Sequence, residues 1–342
     1  MIYRSKAPFR LGLAGGGTDV SPYSDKFGGA ILNVTVNLFA NTTIIPTNNG
    51  KITFRSVDQN CTEIFESSME IPTDGNLSLQ KGVYNRIVKE FIKEPLSFEL
   101  ITSMDVATGS GLGTSSTLVV SILGAFVEWL KLPLGEYDIA HLAYEIERVD
   151  LKMSGGRQDQ YAATFGGVNF MEFSGNDKVI VNPLRIKEES LMELEHNLIL
   201  YYTKTSRESS KIIEEQIKNV EKNDQVSIDA MHLVKEQAYM MKEALLKDKL
   251  NDIGYILNES WSNKKKMALG ITNSDIDKLY SQVMKVGAIG GKISGAGGGG
   301  FMLFYCDKNK RHDVISALNS LGGEVRSYQI DQKGLYTWTV KD

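Results

Sequence analysis

The residues most able to do chemistry in this 342-residue chain sit beside glycines. Three clusters stand out: RLGLAGGGTD at 10–19, GSGLG at 109–113 and GAIGGKISGAGGGG at 287–300. Glycine tolerates positive φ and lets a backbone come close to a ligand. The second cluster runs on into Thr114, Ser115 and Ser116 and then into an apolar stretch. Successive N–H groups in such a turn make a concave anion nest, and a helix N-terminus behind it adds about half a positive charge. The three hydroxyls can hold phosphate oxygens or a divalent cation. A capping serine on an ordinary helix explains one hydroxyl, but not the alternating glycines ahead of it, so phosphate binding is the expected role. Two other phosphate-binding patterns fail. For GxxxxGK[ST], Gly291-Lys292 is followed by Ile293, and Val286 stands where the first glycine belongs. Gly295–Gly300 meets GxGxxG by letter, but the FMLFYC after it reads as a strand where a dinucleotide fold needs a helix.

Periodicity supplies the elements that must position these groups. Runs rich in β-branched residues at 30–36, 41–45, 51–57 and 97–102 read as strands. Leu79–Lys93 places Val83, Ile87 and Phe91 at helical spacing, and Thr114–Lys131 is apolar nearly all round, the mark of a buried helix. Tyr137–Asp150 carries a stripe of Ile139, Leu142, Ala143 and Ile146; Glu147 lies at its edge, able to face a cleft. The segments 166–173, 198–202, 301–306 and 336–340 read as strands and 312–321 as a helix. Residues 206–267 are charged, poor in glycine and helical in pattern, and include Lys264-Lys265-Lys266, a further cationic candidate for the site, although such a run on a helix is more often a solvated face. A β-rich part followed by a helix-rich part predicts an α+β protein of two lobes, 1–185 and 186–342.

Composition limits the function classes. With 38 Lys+Arg against 42 Asp+Glu the net charge is −4, so no global basic field attracts nucleic acid or anionic membrane. Cys61 and Cys306 stand far apart and in no metal-ligand spacing. The apolar run Leu118–Leu130 contains Ser121 and Glu128 and is too short to span a bilayer, and MIYRSKAPFRLGLAGG lacks the apolar core of a signal peptide. A cytoplasmic protein without a nucleic-acid or membrane partner is expected. Its oligomeric state is not given by the sequence.

PFRLGLAGGGTD, GSGLGTSS and KISGAGGGG, in that order along most of the chain, resemble the three motifs of the GHMP kinases, the family of galactokinase, homoserine kinase, mevalonate kinase and phosphomevalonate kinase. The resemblance implies an α+β fold with a ribosomal-protein-S5-like N-terminal lobe, a ferredoxin-like C-terminal lobe and the site between them. It also implies transfer of the γ-phosphoryl of ATP to a small-molecule acceptor, with Mg²⁺ as cofactor. The family's phosphate loop falls on Gly109, Ser110, Gly111, Leu112, Gly113, Thr114, Ser115 and Ser116, with Ser115 or Ser116 also facing Mg²⁺. Its usual leading proline is missing from Asp105-Val106-Ala107-Thr108. Glu147 resembles the second Mg²⁺ ligand. Asp159, in GGRQDQYAATFGG, resembles the catalytic Asp of galactokinases and mevalonate kinases, which takes the acceptor's proton or orients its hydroxyl. Arg10 falls where galactokinases carry Arg and mevalonate kinases Lys; a cation there lowers the acceptor's pKa and steadies the phosphoryl group. Gly16, Gly17, Thr18 and Asp19 match the acceptor-contacting sequence, with Gly16-Gly17 in place of the galactokinase Glu-His, which argues against galactose. Lys292, Gly295, Gly297, Gly298 and the rest of the third cluster are expected to shape the floor of the site.

Within the family, RLGLAGGGTDVSPY, GGRQDQYAATFGG, LNESW with the lysine run, and GGKISGAGGGGFMLFYC are most similar to kinases of heptose phosphates. Those kinases phosphorylate the anomeric hydroxyl of heptose 7-phosphate, giving a 1,7-bisphosphate on the way to GDP-heptose. A kinase for fucose, arabinose or a related sugar is the alternative. A phosphorylated acceptor carries roughly two negative charges that need cationic partners in a closed site. Lys6, at even spacing from Arg10 in an extended segment, and Arg157, able to bind bidentately, are the expected pair.

Overall fold

The computed structural model describes residues 1–205 and 209–341, so the first three residues of the charged 206–267 stretch lie outside the described residues. The first lobe begins with strand β1 (Ile2–Ala14), a short helix α1 (Tyr23–Phe27) and the long strand β2 (Gly29–Pro46). A hairpin of β3 (Lys51–Ser56) and β4 (Cys61–Glu66) follows. Helix α2 (Ser78–Ile87), extended by a π-helical turn over Val88–Ile92, then leads to β5 (Phe98–Met104), parallel to β3. Next come α3 (Thr114–Leu130), α4 (Glu136–Glu145) with a π-helical turn over Ile146–Asp150, α5 (Gln158–Phe165), β6 (Val168–Phe173) and β7 (Val179–Pro183).

The second part runs α6 (Glu188–Asn197), β8 (Leu198–Tyr202), α7 (Ser209–Glu221), α8 (Gln225–Leu246), α9 (Leu250–Lys264), α10 (Ser274–Lys285), β9 (Ala288–Ile293), β10 (Phe301–Cys306), α11 (Arg311–Asn319), β11 (Glu324–Arg326) and β12 (Tyr336–Val340). The first sheet has the order β12-β1-β2-β5-β3-β4, with β6 and β7 added beside β2. The second is antiparallel in the order β11-β8-β10-β9, which with its helices is the split β-α-β-β-α-β arrangement of ferredoxin-like folds. The last strand pairs with β1, Ile2 opposite Val340, so the chain end returns to the first sheet. The expected division after 185 falls between β7 and α6.

Two packing features position the site. Helix α3 is buried on almost every side, with Val119, Ile122, Leu123 and Phe126 at 0% exposure. Each such side chain contributes roughly 1.5–3 kcal/mol on burial, enough to hold the N-terminus of α3 at a fixed height against β1 and β2. Helix α9 lies on β9 through two glycines: a Cβ on Gly290 would stand 1.9 Å from the Gly254 carbonyl oxygen. That close approach brings the C-terminal end of α9 to the mouth between the sheets. The runs at 30–36 and 41–45 form one continuous strand, β2, because its first half pairs with β6 and its second with β5 while β1 covers the other edge. Among the described residues no helix is long and apolar enough to cross a membrane.

Candidate active site

All three glycine clusters converge on one cleft of about 490 Å³. One wall is built from Thr108, Gly109, Gly111, Gly113 and the first turn of α3. Gly109, Gly111 and Gly113 take φ of +76°, +89° and +77°, and no side chain caps α3 among the described residues. The first N–H groups of a long buried helix therefore face the cleft, free to meet an anion. Gly111 and Gly113 are also fixed by what they touch. A Cβ on Gly111 would lie 2.5 Å from the Ser294 carbonyl oxygen, and one on Gly113 2.9 Å from Asp159 Cγ. The loop is thus packed backbone to backbone on the third cluster, and the glycines serve that packing as well as ligand approach.

Arg10 ties the clusters together. It is 3% exposed; Nε donates to Asp159 Oδ1 at 2.7 Å, and Nη1 donates to the Gly111 carbonyl at 2.7 Å and to Ser294 Oγ at 3.3 Å. The guanidinium holds the carboxylate, the loop and the third cluster in one geometry, which a lysine's single nitrogen could not. Asp159, on the first turn of α5, keeps part of its carboxylate exposed to the cleft.

A second carboxylate stands deeper. Glu147 is fully buried, and burial pushes its carboxyl above the usual range. Gln160 Nε2 donates both to Glu147 Oε2 at 2.5 Å and to Ser116 Oγ at 3.0 Å. Glu147 Oε1 accepts no hydrogen bond among the described residues and has Arg148 Nη1 at 3.6 Å. One buried carboxylate oxygen with no hydrogen bond among the described residues, beside a hydroxyl and an N-terminal turn, is a donor set that fits a hard divalent cation. Among the described residues no group of three or more His, Cys, Asp or Glu could hold a metal unaided.

The cleft is also lined by Gly17, Asp19, Gln216, Lys264 and Gly295. Asp19 Oδ2 accepts from the N–H groups of Arg157 at 2.9 Å and Gln158 at 3.1 Å, so it caps the start of α5. Burial, reinforced by the Asp159 charge, raises its carboxyl. Lys264 Nζ donates to the Gly295 carbonyl at 2.6 Å and the Gly16 carbonyl at 3.3 Å. Burial and the Arg10 charge push its ammonium down to about 8, against the opposing pull of Asp19 and Asp159.

Among the expected residues, Arg10, Gly17, Asp19, Gly109, Gly111, Gly113, Thr114, Ser115, Ser116, Glu147, Asp159 and Gly295 border the cleft. Several others do not. Leu112 belongs to the apolar core, and Ser110 is buried, its carbonyl accepting from Phe301 N at 2.8 Å. Thr18 Oγ1 donates to the Gly15 carbonyl at 2.8 Å and holds the turn. Gly16 meets the site through its carbonyl, Gly297 packs on Ile271, and Gly298 N donates to the Ile271 carbonyl at 2.8 Å. Lys292 is buried behind the floor, its Nζ on the Gly12 carbonyl at 2.8 Å.

The expected phosphate-binding pair is corrected by the structure. Lys6 does share a strand face with Arg10, but four residues of strand span about 13 Å, and its Nζ lies 4.3 Å over the Phe39 ring. Arg157 turns its guanidinium away from the cleft, to Asp25, to Ser24 Oγ at 3.2 Å and to the Ser174 carbonyl at 3.0 Å. Its role is to anchor α5. The run at 264–266 departs from a solvated face in one residue: Lys264 is 2% exposed, while Lys266 is exposed. The signal was present in the sequence, because Lys264 continues the buried stripe Ile253, Leu257, Trp261 of α9.

A glycine-rich turn opening a buried helix, a cleft carboxylate held by arginine and a buried Glu–Ser pair, set between an S5-type and a ferredoxin-like sheet, are the features of a small-molecule kinase. The chain belongs to the GHMP kinases: residues 78–167 match the family's N-terminal domain and 241–324 its C-terminal region. It is 49% identical over 337 residues to a D-glycero-alpha-D-manno-heptose 7-phosphate kinase of Campylobacter jejuni, covering 98% of this chain and 99% of that one. The crystal structure of a D-glycero-D-manno-heptose 1-phosphate kinase from Bacteriodes thetaiotaomicron superposes with a TM-score of 0.85 at 46% identity, covering 99% of this chain and all of the other. At 26% identity, 88% of the chain matches an L-fucokinase/L-fucose-1-P guanylyltransferase of Bacteroides fragilis, over 34% of that longer protein.

Proposed function

We propose that this protein transfers the γ-phosphoryl of ATP to the anomeric hydroxyl of D-glycero-D-manno-heptose 7-phosphate, giving the 1,7-bisphosphate, with Mg²⁺ as cofactor. The observation that carries the reading is the Arg10–Asp159 pair resting on the carbonyl of the phosphate loop. It supports a reading in which Asp159 is the proton acceptor beside the transferring phosphate. The choice of heptose rests on the near full-length likeness to the Campylobacter jejuni kinase.

In this reading the N–H groups from Gly111 to the first turn of α3 receive the phosphates of ATP, and Ser116 with Glu147 would hold Mg²⁺, Gln160 keeping the two donors together. Bound Mg²⁺ neutralises charge on the β- and γ-phosphate oxygens. The acceptor's hydroxyl lies against Asp159. Its oxygen attacks the γ-phosphorus in line, the bond from phosphorus to the β-phosphate oxygen breaks, and that electron pair leaves on ADP. The hydroxyl proton passes to Asp159. Among the described residues, the cations besides Arg10 that border the cleft and could meet the sugar's distal phosphate are Arg148, Lys152 and Lys264. The second reading is a neutral sugar such as fucose as acceptor, supported by the match to the Bacteroides fragilis L-fucokinase/L-fucose-1-P guanylyltransferase.

Coupled ADP release with heptose 7-phosphate, free heptose, fucose, arabinose and mevalonate separates the readings. Heptose 7-phosphate is expected to be turned over far better than the rest. Equal turnover of fucose or free heptose would put the neutral-sugar kinase in its place.

A further inference from the structure

Lys264 is a buried cation on the wall of the cleft, outside the three glycine-rich motifs. As the last residue of α9 it is 2% exposed and borders the cleft. Its two hydrogen bonds go to neutral carbonyls, those of Gly295 and Gly16, and it has no ion pair among the described residues. A buried charge without a counter-charge is costly. An ammonium has three donors, so one N–H remains uncommitted. The groups around it are Arg10 from β1, Asp19 from the turn after it, Asp159 from α5 and Lys292 from β9. These surround the point where acceptor and phosphate loop meet. Arg10, the other cation there, already spends Nε on Asp159 and Nη1 on Gly111 and Ser294.

We infer that Lys264 is a catalytic residue whose free N–H bonds the acceptor's reacting oxygen and stabilises the negative charge gathering there, while Arg10 positions Asp159 and the loop. This rests on the kinase reading above and deepens it. As that oxygen forms its bond to phosphorus, its proton goes to Asp159 and the leaving pair to ADP; Lys264 keeps its own proton throughout. Its place between the Gly16 turn and the Gly295 loop, one from the acceptor cluster and one packed on Gly111, lets it touch the oxygen from the side opposite the nest.

The group is protonated below about 8 and loses its proton as pH rises through that value. The kcat/KM of the acceptor therefore falls on the alkaline side near that pH. In the complex the developing oxyanion holds the proton more tightly, so kcat falls at higher pH.

The test compares the full-length wild type with Lys264→Met and Lys264→Arg in coupled ADP release across pH, with calorimetric ATP titration and thermal melting alongside. Lys264→Met is expected to lose on the order of 10²–10³ in kcat/KM, the cost of removing one donor from a developing oxyanion, with ATP affinity unchanged. Lys264→Arg is expected to lose the alkaline fall near pH 8. If Lys264→Met does not fold, that pH profile decides alone. Wild-type kcat/KM in a folded Lys264→Met, or an unchanged alkaline fall in Lys264→Arg, overturns the assignment. So does a loss of ATP affinity that accounts for the whole rate loss, which marks a purely structural tie. Should the wild type ignore heptose phosphate yet phosphorylate another sugar, the substrate reading fails separately, and the same comparison runs with that sugar.

Discussion

Replacing Asp159 with Asn tests the centre of the mechanism while leaving its shape. The new amide oxygen still accepts from Arg10 Nε, which lies 2.7 Å from Oδ1, so the loop contact to Gly111 survives. What disappears is the negative charge and the proton acceptor. Loss of a positioned base costs about 10²–10⁴ in kcat, or about 3–5 kcal/mol on the barrier. The stability cost is smaller. Arg10 is 4% exposed at its side chain and Asp159 22%, so the pair is largely desolvated. Baring a buried charge costs about 3–5 kcal/mol, but Arg10 keeps its bonds to the Gly111 carbonyl, Ser294 and the amide oxygen. A loss of about 1–2 kcal/mol is expected. Electrostatics shift in step: the Asp159 charge raises the Asp19 carboxyl and supports the Lys264 ammonium, so both move down when it goes. Steady-state ADP release, calorimetric ATP titration and thermal melting read the three effects apart. A folded Asp159→Asn enzyme with kcat within about tenfold of wild type would refute the role of Asp159 as base.

Gly113→Ala places a Cβ 2.9 Å from Asp159 Cγ at a φ of +77°; left-handed strain of about 1–2 kcal/mol and a displaced base should lower kcat more than ATP affinity, checked by the same kinetics. Glu147→Gln should raise the Mg²⁺ concentration for half-maximal rate by about tenfold or more with the acceptor KM little changed, read from Mg²⁺ titrations of the rate. Arg157→Met, which removes the anchor to Asp25 and Ser174, should lower the melting temperature and leave the acceptor KM alone. Lys6→Ala should alter neither, since its ammonium covers the Phe39 ring outside the cleft; a raised acceptor KM in either variant would return them to the phosphate pocket.

How far the site can be read in the sequence depends on the range of the interactions that make it. The alternating glycines of 109–113 and the hydroxyls behind them declare a nest because turn geometry and helix N-termini are local properties, settled within a few residues. The all-round apolar pattern of α3 declares its burial for the same reason, and Arg10, Glu147 and Asp159 are recognisable from short motifs. The family, the glycine-rich turn before α3 and the order of the chemical groups are therefore properties of the sequence by itself. Which cations enter the cleft is not. Lys6 has the right strand face and Arg157 the right neighbour, yet about 13 Å of strand and a turn toward Asp25 take them out. Lys264 comes in because Gly254 and Gly290 let α9 lie on β9 at backbone contact, carrying its last buried position up to the Gly16 and Gly295 carbonyls. Local pattern sets the conformation of a segment and the face a residue occupies. Where that face finally points is decided by long-range packing between segments far apart in the chain, and only the folded molecule contains it.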